Sequence, residues 1–201
     1  MELNSQQKRQ RLFLEIKDLL TGAAFPVILQ LVLSASVIML SSYVGDIALK
    51  ILVIAVGELM LGAAYFIFGR QNGASAYRKT VLNGKKRELN SQEIKVYYKT
   101  GEYAVWKGAV IAIISVIPFM IIEFIECLAP NIVCDFILKY AFGWAACPFE
   151  VADNLSEWLN FIWIIYPVGV HTGAYIFGAY REQKRQKLLQ EAQEIKDKKK
   201  K

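Results

Sequence analysis

Four apolar stretches dominate this chain, and each has about the twenty residues that a helix needs to cross a bilayer. They comprise residues 23–42, 47–68, 104–125 and 158–178. Because 55% of the 201 residues are hydrophobic and these stretches take up much of the chain, no soluble domain of ordinary size remains. The sequence therefore predicts an all-α, polytopic membrane protein with four transmembrane helices.

Positive charge is concentrated on one side of the predicted spans. Lys and Arg number four in residues 1–22, eight in 69–103 and nine in 179–201, against one each in 43–50 and 126–157. The positive-inside rule then places both termini and the central segment in the cytoplasm. The same charges predict contact with anionic lipid headgroups and not with nucleic acid. The Lys- and Ile-rich composition, without a cleavable signal, suggests a bacterial cell membrane.

These charges divide the single membrane domain into segments. Two basic amphipathic helices, one in residues 1–22 and one in the central segment, are expected to lie along the inner leaflet. The segments are an amphipathic helix at 1–22, a first transmembrane hairpin at 23–68, a basic cytoplasmic loop at 69–103, a second hairpin at 104–178 and a basic tail at 179–201.

An internal duplication is indicated by a repeated polar pentapeptide. Residues 2–6 read ELNSQ and recur at 88–92, and each copy precedes a span containing Ser-Val-Ile, at 36–38 and 115–117. Apolar matches between spans are weak evidence, but a polar pentapeptide in the same order favours duplication. Two spans in each half would make the repeats parallel hairpins, related by an axis along the membrane normal.

The second hairpin has a long outer connection, residues 126–157, which contains a further apolar segment at 131–147. Asn131, Asp135 and Lys139 form a polar stripe at helical spacing in this segment. The pattern favours an outer interfacial or re-entrant helix. The alternative, a fifth span, would move the basic tail to the outside and conflict with the charge bias.

Polar side chains also occur within the predicted spans, where exposure to lipid is costly. Glu58 and His171 fall near the middle of two spans that run in the same direction, so we expect similar depths, and Gln30 lies in the first span. A Glu beside a His can share a proton, which suggests a proton-linked binding site between the halves. The alternative is a structural hydrogen bond that fixes helix packing. Lys107 and Glu123 lie nearer the span ends and are expected to snorkel.

The fourth span carries Pro167 together with Gly169, Gly173 and Gly178. Small residues four apart allow helices to approach closely, and Pro167 removes a backbone hydrogen bond. Close packing with a kink is the favoured interpretation, and a hinge that lines a site is the alternative. Pro118 predicts a second kink in the third span. The third span also has a face of small residues, Ala104, Gly108 and Ala112, which is predicted to pack against the glycines of the fourth span.

Motifs for enzymatic chemistry are missing from the sequence. With one His and no phosphate loop, nucleophile elbow or dinucleotide motif, we predict no catalytic residue, metal site or cofactor. Cys127, Cys134 and Cys147 lie on the predicted outer side. Their odd number favours free thiols, although one disulfide is possible in an oxidising compartment.

Two functions suit these features. The first is a small transporter or permeation subunit with Glu58, His171 and Gln30 at a polar site between the repeats. Four helices are few for a translocation path, so a homo-oligomer or a membrane partner subunit is expected. The second is a non-catalytic adaptor or accessory subunit that binds a partner through its basic cytoplasmic helices.

Overall fold

The computed structural model describes residues 5–89, 101–150 and 160–198. These residues form helices joined by short turns, without β-strands. The helices are α1 (Ser5–Ser42), α2 (Ile47–Leu89), α3 (Val105–Leu128), α4 (Ile132–Glu150), α5 (Asn160–Trp163) and α6 (Ile165–Lys198).

Four helical segments of the described chain are long and apolar enough to cross a membrane: Lys8–Ser42, Ile47–Gly84, Val105–Leu128 and Phe161–Lys198. Many large apolar side chains on these helices, such as Leu59 and Ile121, point away from the bundle. An outward apolar surface of this kind is what a lipid-embedded protein requires. The prediction of an all-helical chain with four such helices is confirmed, and the fold fits a multi-pass membrane protein.

The helices continue well past the apolar stretches at the end where α1 begins and α2 and α6 end, called the basic end below. Residues 5–22 join the first span in one helix, where a separate helix was predicted. Residues 70–89, predicted as loop, continue α2. Charged residues end a membrane crossing but not a helix, because Lys, Arg, Gln and Glu are good helix formers. The second predicted amphipathic helix falls largely on residues 90–100, outside the described residues.

The closest approach between helices joins α2 and α6, which run in the same direction. A Cβ added to Gly69 would lie 2.5 Å from the carbonyl oxygen of His171. A Cβ added to Gly73 would lie 1.9 Å from the carbonyl oxygen of Tyr175. Gly69 and Gly73 thus form a small-xxx-small motif that brings the two backbones together.

The glycines of α6 divide into two groups. Gly178 lies against α2, since a Cβ there would approach the carbonyl oxygen of Arg70 to 2.1 Å. Gly169 and Gly173 have no atom of the described residues within 4 Å of an added Cβ, and within this part of the chain they face open space. Packing of Gly169 and Gly173 against α3, as the sequence suggests, does not occur within the described chain.

The helix α4 enters the bundle from the end opposite the basic end. Leu138 and Phe142 are buried, and the ring of Phe142 lies 5.8 Å from that of Phe119. Phe119 lies about 14 Å along α3 from its end at Leu128, given the helical rise. The backbone leaves helical geometry at Phe142, with φ −132° and ψ 24°. This depth fits the re-entrant arrangement better than a helix lying flat at the interface.

The fourth span is interrupted before α6 begins. A turn at Ile164 separates α5 from α6, and Pro167 is the third residue of α6. A proline at this position lacks the N–H that would continue the helix from Trp163, so the break precedes the residue at which a kink was predicted. α1 and α2 are joined by a short turn that has no counterpart of α4, and the duplication stays a prediction.

Candidate functional site

Four buried polar side chains, one from each span, meet in the basic half of the bundle. They are Gln30 of α1, Tyr65 of α2, Ser115 of α3 and His171 of α6, called the polar cluster below. None of the four residues is more than 1% exposed. Polar side chains at such positions are energetically costly unless they bind one another or a ligand.

Hydrogen bonds with defined direction link three members of the polar cluster. The Nε2 atom of Gln30 donates to the hydroxyl of Tyr65 and to the carbonyl oxygen of Ser115, at 3.2 Å from the latter. The Ser115 hydroxyl donates to the carbonyl oxygen of Ala112 at 2.7 Å. The Tyr65 hydroxyl, 2.9 Å from the Ser115 Oγ, therefore donates to it. This chain of donors starts at Gln30 and ends at the backbone of α3.

The imidazole of His171 stands edge-on to the ring of Tyr65, with centroids 6.1 Å apart and planes at 84°. Its Nδ1 lies 3.0 Å from the carbonyl oxygen of Gly108. Because a carbonyl only accepts, Nδ1 carries the hydrogen, and Nε2 of the neutral ring is an acceptor. Among the described residues, no group donates to His171 Nε2 or to Gln30 Oε1. The polar cluster thus holds two buried acceptor atoms that can receive a hydrogen bond.

Glu58 belongs to a different environment. Its Oε2 accepts a hydrogen bond from the indole nitrogen of Trp163 at 3.2 Å, and its backbone carbonyl accepts one from the Tyr166 hydroxyl at 3.1 Å. The carboxylate faces a groove of about 620 Å³ on the outside of the bundle. The groove is otherwise lined by Ile51, Ile54, Ala55 and Leu59.

The predicted pairing of Glu58 with His171 is not observed. His171 packs beside Gly69, which lies about 16 Å along α2 from Glu58 by the helical rise. The sequence prediction counted depth from residue 158, as though the fourth span were one helix. In the structure α6 begins only at Ile165, and Tyr166 lies beside Glu58 in the middle of the second span. His171, further along α6, therefore lies closer to the basic end than the sequence predicts.

Two charged residues expected to snorkel are buried instead. Lys107 is 5% exposed, and its Nζ lies 3.2 Å from Oε1 of Glu15 on α1. Glu123 is 1% exposed. The snorkelling prediction is therefore wrong for both. The partner of Lys107 could not be inferred while residues 1–22 were placed on the membrane surface as a separate helix.

A polar pocket of about 210 Å³ opens at the basic end, between α1, α2 and α3. It is called the basic-end pocket below, and its lining includes Asp18, Asn72, Lys79, Ile111 and Tyr175. Tyr175 also packs against Gly108, whose carbonyl binds His171. Tyr175 therefore borders both this pocket and the residue whose carbonyl oxygen accepts the hydrogen bond from His171.

Sequence reasoning identified Gln30 and His171 but missed Tyr65 and Ser115. Ser115 begins one of the two Ser-Val-Ile tripeptides that suggested duplication, and Tyr65 lies near the end of the second predicted span. A search for every hydroxyl within the apolar stretches, not only for charged and amide groups, would have found them.

Among the described residues, neither a metal-binding cluster nor a disulfide is observed. Within the described ranges, no three His, Cys, Asp or Glu residues come together in a way that could hold a metal ion. The thiol of Cys134 is not part of a disulfide. The side chain of Cys147 lies outside the described residues.

Comparisons of the chain with protein-family models, with curated proteins and with solved structures give no match. Function must therefore be argued from the fold and from the site geometry alone.

Proposed function

We propose that this multi-pass membrane protein is a small transport or permeation subunit, and that a proton or hydrogen-bond-donating solute binds in the polar cluster. The observation that carries the proposal is the pair of buried acceptors, Gln30 Oε1 and His171 Nε2. A purely structural polar contact is expected to satisfy its buried polar atoms, because each unpaired one costs about 1–3 kcal/mol. Buried acceptors without a donor in an apolar bundle suit a ligand that has hydrogen-bond donors.

The location of the polar cluster also supports transport. The contributing side chains come from all four spans, so a ligand there would contact both predicted halves of the chain. The basic-end pocket, which Tyr175 lines, offers an approach to the polar cluster from one side. The cluster itself is closed on both sides, so passage requires movement of helices or a second subunit. A homo-oligomer or a membrane partner is therefore part of the proposal.

The test is proton-driven flux into liposomes that contain the purified protein. His171→Phe keeps a ring of similar size but removes the titratable nitrogen, so we expect flux to fall roughly tenfold or more. Thr172→Val is the matched control. Within the described residues, its hydroxyl donates to the Val168 carbonyl of its own helix at 2.7 Å, and flux should be unchanged. An internal pH-sensitive dye measures the rate.

Two further variants locate the site within the membrane. Gln30→Leu removes the second acceptor and should reduce flux as His171→Phe does. Glu58 lies outside the polar cluster, so Glu58→Gln should retain most of the wild-type flux. Loss of flux in Glu58→Gln alone would move the site to the groove beside Trp163. Flux in wild-type liposomes equal to that in protein-free liposomes would reject transport by this chain alone or as a homo-oligomer.

The adaptor function is the second candidate, and the length of α6 favours it. This helix runs about 30 Å past Gly178 to Lys198 by the helical rise. Along this extension Leu188, Leu189 and Ile195 are exposed between charged residues. Exposed apolar side chains on a projecting helix are typical of a surface that binds another helix.

Deletion of residues 184–201 tests the adaptor function. If the extension binds a partner, the truncated protein should lose a protein that copurifies with the full chain, as measured by quantitative mass spectrometry after mild solubilisation. Leu188→Ser with Leu189→Ser should have the same effect without removing charge. Retention of every copurifying protein in both variants would argue against this function, whatever the flux measurements show.

A further inference from the structure

A groove rich in arginine lies between α2 and α6 at the level where the apolar stretches end. Arg70 and Arg78 project from α2, and Arg181 and Arg185 project from α6. The groove has a volume of about 420 Å³ and is called the arginine groove below. Its remaining lining residues are Gln71, Ala74, Gly178 and Glu182.

A buried carboxylate organises one part of the arginine groove. Glu182 is 6% exposed, with its Oε1 3.5 Å from Nε of Arg78 and its Oε2 3.7 Å from Nη1 of Arg185. Gln186 also donates to Glu182 Oε1 at 3.1 Å. The carboxylate thus positions two arginines and offsets part of their charge. The groove keeps an excess of positive charge, because four guanidinium groups face a single carboxylate.

The other two arginines are available to a ligand. Neither Arg70 nor Arg181 forms an ion pair with a carboxylate of the described residues. Guanidinium groups bind phosphate through paired N–H donors, with a geometric fit that lysine lacks. A free guanidinium on each wall therefore suits an anion held between the two helices.

Aromatic side chains adjoin these arginines on the membrane side. The rings of Phe66 and Phe177 lie 6.1 Å apart across the two helices, and both are partly exposed. Arg70 follows Phe66 by one helical turn, and the guanidinium of Arg181 lies 5.8 Å from the ring centre of Phe177. One site thus offers a cationic part at headgroup level and an apolar part toward the hydrocarbon.

We infer that the arginine groove binds the phosphate of an anionic phospholipid from the leaflet at the basic end. Arg70 and Arg181 contact the phosphate, and the start of the acyl chains lies along Phe66 and Phe177. Basic pockets between transmembrane helices suit such headgroups. A small soluble anion has no apolar part that would contact Phe66 and Phe177. An acidic peptide would have to reach past the charged rim to the bilayer surface. The site is independent of the proposed transport function.

Native mass spectrometry of the full-length protein in detergent tests this inference. Phosphatidylglycerol, phosphatidylcholine and inorganic phosphate are titrated separately, and lipid-bound species are counted. We expect phosphatidylglycerol to bind wild type at least tenfold more tightly than phosphatidylcholine does. Arg70→Gln with Arg181→Gln should weaken phosphatidylglycerol binding roughly tenfold or more.

The matched control removes the same charge elsewhere. Arg9→Gln with Arg11→Gln, on α1, should change phosphatidylglycerol binding less than about twofold. Equal weakening in both double variants would show general attraction to charge and overturn the site. Equal affinity for the two lipids would also overturn the site, and so would displacement of phosphatidylglycerol by millimolar inorganic phosphate. Arg70→Lys with Arg181→Lys keeps the charge but removes the paired N–H donors of the guanidinium groups. It should still show about half of the loss in phosphatidylglycerol affinity, which separates donor geometry from charge if the Gln variant unfolds.

Discussion

Replacing Gly73 by Ala should destabilise the protein by about 3 kcal/mol or more, because the new methyl group has no space. Its Cβ would lie 1.9 Å from the carbonyl oxygen of Tyr175, and this atom belongs to the backbone of α6 and cannot rotate away. The two helices would have to separate along their longest contact. The free energy of unfolding in mixed micelles, obtained from an SDS titration, measures the loss.

Gly173→Ala is the matched control for this prediction. This substitution also adds a single methyl group, but no atom of the described residues lies within 4 Å of a Cβ added to Gly173. Alanine is the better helix former, so this variant should be neutral or more stable by up to about 1 kcal/mol. If Gly173→Ala destabilises the protein as much as Gly73→Ala does, the face of α6 that carries Gly173 is packed against another helix, and its description as open is wrong.

The contrast between these glycines shows what pattern alone can predict. Apolar length was enough to find the four spans, because only helices of about twenty residues satisfy their backbone groups across a bilayer. Spacing of small residues marked Gly173 and Gly178 equally, yet among the described residues Gly178 lies against another helix and Gly173 does not. Small-xxx-small spacing shows that close approach is possible, but the rotation of a helix about its axis depends on all its neighbours.

The candidate site was predictable in its residue types but not in its geometry. Gln30 and His171 were identified because amide and imidazole groups within a span are costly. The partner assigned to His171 was wrong, because depth was counted along a continuous fourth span. The turn at Ile164 interrupts that span, and α6 begins only at Ile165. The depth of a helix in the bundle follows from tertiary packing and leaves no local pattern in the sequence.

The ion pair between Lys107 and Glu15 gives the second large expected effect. Glu15→Ala should cost about 3 kcal/mol or more, because Lys107 is buried and would lose its only observed carboxylate partner among the described residues. The pair joins α3 to the N-terminal part of α1, so its loss should also loosen that contact. Unfolding by SDS titration in mixed micelles again provides the measurement.

A neighbouring exposed pair supplies the control. Lys79 and Asp18 also connect two helices, with Nζ 2.5 Å from Oδ1, but their side chains are 45% and 37% exposed. Asp18→Ala should therefore cost about 0.5 kcal/mol, as exposed ion pairs contribute little. Combining Glu15→Ala with Lys107→Met removes the uncompensated charge and should restore most of the lost stability. If the double variant is no more stable than Glu15→Ala, Glu15 stabilises α1 through contacts other than Lys107. In that case the buried charge is not the cause of the loss.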